Sequence, residues 1–223
     1  MPRLLEAEGL VLDRKPSGER HLRLSLLTPT LGLVSALVRE SRPAGAKPGA
    51  ASKKRAGAPQ RPDIFDLAAV RLEAPEAGGA HPTMYFVAEY KVLRRHAGLG
   101  RSYAALEAAA GLAKLVTRNA AHFETCAPVF DLCRKALEAL EGGAPPEAVR
   151  LKALYLLARA EGYAALEQWR PALSGGDGEL ARLVFNRPVA EVALLAAGEL
   201  GRLAKLREAF ERWLVEHTDL EVK

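Results

Sequence analysis

The sequence predicts an α+β protein, with a run of short antiparallel strands over about ninety residues followed by an all-helical domain. Three observations predict it. Apolar residues alternate at period two before Tyr90 and recur at helical spacing after it. Turn residues punctuate the first part, at Pro16 and Gly18, at Thr28, Pro29 and Thr30, and through APEAGGAHP. Ala and Leu crowd the second part, which favours closely packed helices.

The first strand is GLVLDRKP, closed by a turn of Lys15, Pro16, Ser17 and Gly18. RHLRLSLLT follows, with Leu22, Leu24 and Leu26 on one face and His21, Arg23 and Ser25 on the other, as in a strand with one wet side. LGLVSALVRE is the third strand, IFDLAAVRLEA the fourth and TMYFVAEY the fifth. Five short strands with turn chemistry at most joins suit a small barrel, and an OB-fold is the leading candidate. The interior of such a barrel is filled by side chains, so a ligand must lie on an outer face beneath the long loops.

After Tyr90 the expected first helix carries Leu99, Tyr103, Leu106, Ala110, Ala113 and Val116 or Thr117 at helical spacing, with Ser102 as its cap. CAPVFDLCRKALEALEGG places Val129, Phe130, Cys133, Leu137 and Leu140 on a stripe and stops at Gly142 and Gly143. PPEAVRLKALYLLARAEGY opens on prolines and ends at Gly162. The last forty residues give one or two more helices, with Leu203, Leu206, Phe210 and Leu214 on a shared stripe. The expected domains are residues 1–88, the OB-fold, and 89–223, the helical domain.

Charge is distributed unevenly. The chain of 223 residues carries a net +5, but twelve of its 32 basic residues and only five of its 27 acidic ones precede Asp63. The remainder is slightly acidic. A one-signed excess of this kind points to a polyanionic partner. Between the third and fourth strands, at about 39–62, lies SRPAGAKPGAASKKRAGAPQRPD, a basic stretch rich in Gly, Pro and Ala. Its composition buries too little to offset chain entropy. Arg39, Arg42, Lys47, Lys53, Lys54, Arg55 and Arg61 there, Arg20, His21 and Arg23 on the neighbouring strand face, and Arg14 and Lys15 at the adjacent turn are the candidate phosphate contacts. The alternative is a solvated insertion kept soluble by its charge. Phe65, Tyr85, Phe86 and Tyr90 read as core residues, so electrostatics should outweigh base stacking.

An enzyme is weakly supported. His21, His81, His96, His122 and His217 are scattered, with no HxH or HExxH spacing, and there is neither a GxSxG elbow nor a GxxxxGK[ST] loop. Cys126 and Cys133 lie two helical turns apart, too far to bond each other. No apolar run reaches eighteen residues and the N-terminus lacks the pattern of a signal peptide, which predicts a cytoplasmic protein.

The order of these features resembles the bacterial RecO recombination mediators. The resemblance lies in EGLVLDRK, then SGERHLRLSLLTPTLGLVSALVRESR running into the basic loop, FVAEYKVLRRHAGLGRSYAALEAAAGLAKLV at the crossover, AVRLKALYLLARAEGYAAL as a central helix and FERWLVEHTDLEVK at the end. It covers most of the chain by spread-out patterns. It implies a non-enzymatic mediator that binds single- and double-stranded DNA, anneals complementary strands and, with RecR, helps load RecA onto DNA coated by single-stranded DNA-binding protein (SSB). It also implies nucleoid association. The acidic C-terminal tail of SSB needs an apolar slot with a cation for its carboxylates, and Arg150, Lys152 and Tyr155 are the candidates. Many family members hold a structural zinc with four cysteines after the central helix. Here EGYAALEQWRPALSGGDGE has none, so no cofactor is expected, and Trp169 with its apolar neighbours is the expected packing substitute. Two other classes stay open: a protein-binding scaffold with an incidental basic linker, and an OB-containing RNA- or ribosome-associated factor.

Overall fold

The computed structural model describes residues 3–39, 61–75, 84–173, 175–192 and 199–222. The chain divides into two compact units, Met1–Arg95 and His96–Lys223. The first holds β1 (Arg3–Ser17), β2 (His21–Thr28), β3 (Gly32–Arg39), β4 (Leu67–Ala74) and β5 (Tyr85–Arg94). The second holds α1 (Tyr103–Asn119), α2 (Ala127–Glu141), α3 (Pro146–Ala160), α4 (Ala165–Gln168), α5 (Asp177–Asn186), α6 (Val189–Val192) and α7 (Leu200–His217), with short 3-10 turns at Ala97–Arg101 and Arg170–Ala172. The architecture is thus α+β, an N-terminal five-stranded sheet followed by helices.

The sheet closes on itself in the order β1-β2-β3-β5-β4. All its pairs are antiparallel except β3 with β5, where Ala36 faces Tyr85 and Leu37 faces Phe86. The alternation along β2 sends Leu22, Leu24 and Leu26 inward to meet Val11, Val34, Ala36, Ala68, Val70, Leu72 and Tyr85. Gly18, at φ 68°, and Gly32, at φ 73°, turn the chain at the two ends of β2 through a backbone region that side chains with a Cβ rarely adopt. The Thr28 hydroxyl closes the second turn, accepting from Leu31 N and donating to Gly32 O.

β1 is longer than its expected span because Arg3–Leu10 pairs with Leu67–Ala74 of β4, a partner more than fifty residues away. β5 likewise runs on to Arg94, which pairs with Leu67, so the first unit ends after Arg95 and not at residue 88. β4 starts at Leu67, not Ile64, because Phe65 sits at φ 67° and bends the chain into the strand.

In the helical unit α3 is central, packed on α1, α2, α5 and α7. It is buried on nearly every side, which an apolar sequence interrupted only by Glu147, Arg150, Lys152 and Arg159 permits. Ser102 Oγ accepts from Ala105 N and caps α1. The stripe expected for α1 is corrected: Tyr103 is 82% exposed and Leu106 42%, while Ala105, Ala108, Ala109, Leu112 and Val116 form the buried face. Small side chains let α1 approach its neighbours closely. Leu203, Leu206, Phe210 and Leu214 are buried along α7. Trp169 is buried too, its ring 4.7 Å from Phe210 and 6.1 Å from Phe185. Ion pairs tie α7 to α3, Arg207 with Glu147 and Arg150 with Glu211, and Arg207 also pairs with Glu211 within α7.

Candidate nucleic-acid interface

The outward residues of β1, β2 and β3 line up in rows across the sheet. Ser17, His21 and Arg39 form one row, and Lys15, Arg23 and Leu37 the next, which continues to Phe86 on β5. Arg20, in the turn before β2, is exposed, as are Arg23 and Arg39. Among the described residues none of Arg20, His21, Arg23 and Arg39 has a carboxylate partner. The other side of the barrel differs: Glu6 and Glu89 flank Arg71 at 3.0 and 2.6 Å, and Glu8 and Glu73 stand on the same two neighbouring strands, β1 and β4. Among the described residues the β2–β3 side thus carries Arg20, Arg23 and Arg39 exposed and without carboxylate partners, while on the β1–β4–β5 side Arg71 is held between Glu6 and Glu89 and Lys91 is exposed with no carboxylate beside it.

Two expected phosphate contacts have carboxylate partners. Arg14 Nη1 donates to Pro62 O at 2.9 Å and lies 3.4 Å from Asp63 Oδ1, so this side chain fastens the stem of the basic loop to β1. Lys15 Nζ is 2.7 Å from Asp13 Oδ2, on the same strand. The stem is held from β5 as well. Arg95 Nη2 donates to Arg61 O, and its Nε lies 3.6 Å from the buried carboxylate of Asp66. Asp66 Oδ2 accepts from Asp63 N and from the Tyr90 hydroxyl. Burial raises the Asp66 carboxyl above its usual range, against the pull of these hydrogen bonds and of Arg95. Burial and the neighbouring Asp66 charge push the Tyr90 phenol up. Arg61 is exposed, at the foot of the loop. Arg42, Lys47, Lys53, Lys54 and Arg55 lie outside the described residues.

Of the aromatics read as core, Phe65 and Tyr85 are buried and Tyr90 is half-buried. Phe86 is not core: it is 45% exposed, on the outer face beside Leu37. The alternation of Tyr85, Phe86 and Val87 carried the signal, since adjacent strand residues cannot both face inward.

In the helical unit Arg150, Lys152 and Tyr155 do not come together. Arg150 points to Glu211 of α7 at 3.3 Å. Lys152 Nζ donates to the carbonyls of Val184 and Arg187 at the end of α5. Burial lowers its pKa, with the Arg159 charge second. Tyr155 is buried and stacked on Phe185 at 4.0 Å, so it is a core residue and not a surface contact. What sequence reading missed is a groove of about 560 Å³ lined by α2, α3 and the start of α6, with Leu132, Ala136, Leu156 and Leu157 in its lining together with the charged Asp131, Lys135, Lys152 and Arg159. Its residues are spread over some sixty positions, and only the packing of α2 on α3 assembles it.

No known protein family matches the chain, and no curated protein matches it either. Among the described residues no three His, Cys, Asp or Glu side chains stand together as metal ligands. The stretch after α3 contains no cysteine, and Trp169 is buried within it. Among the described residues no helix is long and apolar enough to cross a membrane.

Proposed function

We propose that the chain is a non-enzymatic DNA-repair mediator of the RecO kind. It binds single- and double-stranded DNA on an OB-type barrel, anneals complementary strands and, with RecR, helps load RecA onto SSB-coated DNA at the nucleoid. The observation that carries this reading is the cluster of cations on the β2–β3 face. Arg20, His21, Arg23 and Arg39 stand, among the described residues, without carboxylate partners on the outer face of a closed sheet ordered β1-β2-β3-β5-β4, and Arg39 leads directly into the segment of sequence that holds the other loop cations. That strand order and a β2–β3 face serving as the ligand surface both suit an OB-fold. Such a surface recognises phosphate without reading sequence, because each guanidinium or ammonium displaces condensed counterions and none is aimed at base edges. Annealing then needs no catalytic group, only cations that screen two strands from one another.

The groove between α2 and α3 suits the SSB tail better than the expected trio did. Leu132, Leu156 and Leu157 supply an apolar floor for a hydrophobic chain end, and Arg159, with Lys135 beside Asp131, supplies positive charge for its carboxylates.

Titration of a labelled single strand at rising salt tests the DNA reading. Binding at low salt that weakens steeply with salt supports it, and absence of low-salt binding ends it. Parallel titrations with RNA separate a DNA mediator from an RNA-associated factor. A peptide with an acidic, apolar C-terminus should bind the chain and lose affinity in the variant Lys135→Glu with Arg159→Glu. If it does not bind, the groove has another use.

A further inference from the structure

Cations hold a strand by its phosphates; they say nothing about its bases. On the β2–β3 face, however, the row that begins with Lys15 and Arg23 does not end in charge. It passes to Leu37 on β3, half-buried, and then to Phe86 on β5, which is 45% exposed although a phenyl ring has nothing to gain from water. Neighbouring strands stand about 4.8 Å apart, so Phe86 lies roughly 10 Å from Arg23 across the sheet. An arginine side chain spans much of that distance. On the far side of Phe86 the next residue in register is Glu73 of β4, and with it begins the part of the barrel where carboxylates pair with Arg71. The apolar step is thus bounded by cations on one flank and by a carboxylate on the other, an arrangement that draws phosphates to one side and leaves an uncharged ring plane beside them.

Resting on the DNA reading above, we propose that Phe86, supported by Leu37, is a base-stacking platform, and that it makes the barrel favour unpaired strands over duplex. A duplex hides the faces of its bases and engages the cations alone. A single strand running past Arg39, His21 and Arg23 can turn a base onto the Phe86 ring and gain an interaction that every base can make, since each has a π-face. Phe86 therefore adds affinity without adding sequence preference. Because this stacking is uncharged, it leaves the salt dependence untouched.

The test compares, on the full chain, a labelled thymidine oligomer with an abasic strand of the same length, which presents the same phosphates and no bases. The unaltered chain should bind the thymidine strand about tenfold or more tightly than the abasic one, with equal salt slopes for both. Phe86→Ala should bring the thymidine affinity down to the abasic value with its slope unchanged, and a thermal melt shows whether that variant is folded. Phe86→Trp should keep the preference, and its added indole emission should be quenched by the thymidine strand and not by the abasic one. Equal binding of both strands by the unaltered chain overturns the stacking role and leaves the electrostatic reading standing, as does a preference that survives in Phe86→Ala. Failure to bind either strand at low salt overturns both.

Discussion

Replacing Arg20, Arg23 and Arg39 together with alanine removes three exposed, permanently charged side chains that have no carboxylate partner among the described residues. Each phosphate of a single strand that is no longer neutralised lowers the slope of log K against log salt by about 0.7, so three lower it by about 2. Over a fourfold range, from about 50 to about 200 mM salt, the affinity of the triple variant should then fall roughly twentyfold less than that of the unaltered chain. Fluorescence anisotropy of a labelled oligonucleotide reads this directly. Arg71→Ala is the control: it deletes an equal charge, but one held between Glu6 and Glu89, and should leave the slope where it was. A triple variant with an unchanged slope, or an Arg71→Ala variant that matches a single member of the triple, would refute the idea that unpaired cations on this face grip the phosphates.

Leu24 is wholly buried in the barrel, and Leu24→Ala should lower stability by about 3 kcal/mol in a urea titration. Asn119 is buried, donating to Leu115 O and Glu221 O and accepting from Glu221 N, so Asn119→Ala should cost about 1–3 kcal/mol and speed amide exchange at Glu221. Burial pushes the Cys133 thiol up to about 12, so at pH 8 iodoacetamide should leave it unlabelled in the native chain and label it in denaturant, as read by mass spectrometry. Asp66 binds its proton more tightly folded than unfolded. Its contribution to stability is complete below the ordinary value of 3.8 and is lost as pH rises through the higher folded value, and Asp66→Asn should flatten that part of the stability profile whatever it does to stability itself.

The barrel is legible in the sequence where each strand can be read on its own. Leu22, Leu24 and Leu26 against His21, Arg23 and Ser25 define β2 and its wet face without reference to any partner. Reading fails where a distant partner decides. The start of β1 at Arg3 depends on β4, and Arg14 reads as a free cation until Asp63 and Pro62, almost fifty residues on, return to it. An α1 stripe through Tyr103 and Leu106 follows from a periodicity count that large apolar residues dominate, whereas close packing favours the alanines between them. Tyr155 reads as surface because it shares a helix face with Lys152 three residues before it, yet Phe185 claims the ring. Phe86 needs only the choice of which member of an alternating pair faces out, and that choice is made by β3.

With Arg20, Arg23 and Arg39 on the β2–β3 side and Glu6, Glu8, Glu73 and Glu89 on the β1–β4–β5 side, the described part of the barrel is a dipole across its own axis. A body carrying the same excess spread evenly would meet a polyelectrolyte at any angle and then have to search for its footing. With DNA as its partner, this one would feel a torque at a distance of about a Debye length, roughly 8–10 Å at ordinary ionic strength, and would swing its β2–β3 side forward before touching. Orientation would then be settled on approach, and dilute buffer should quicken capture as well as tighten it.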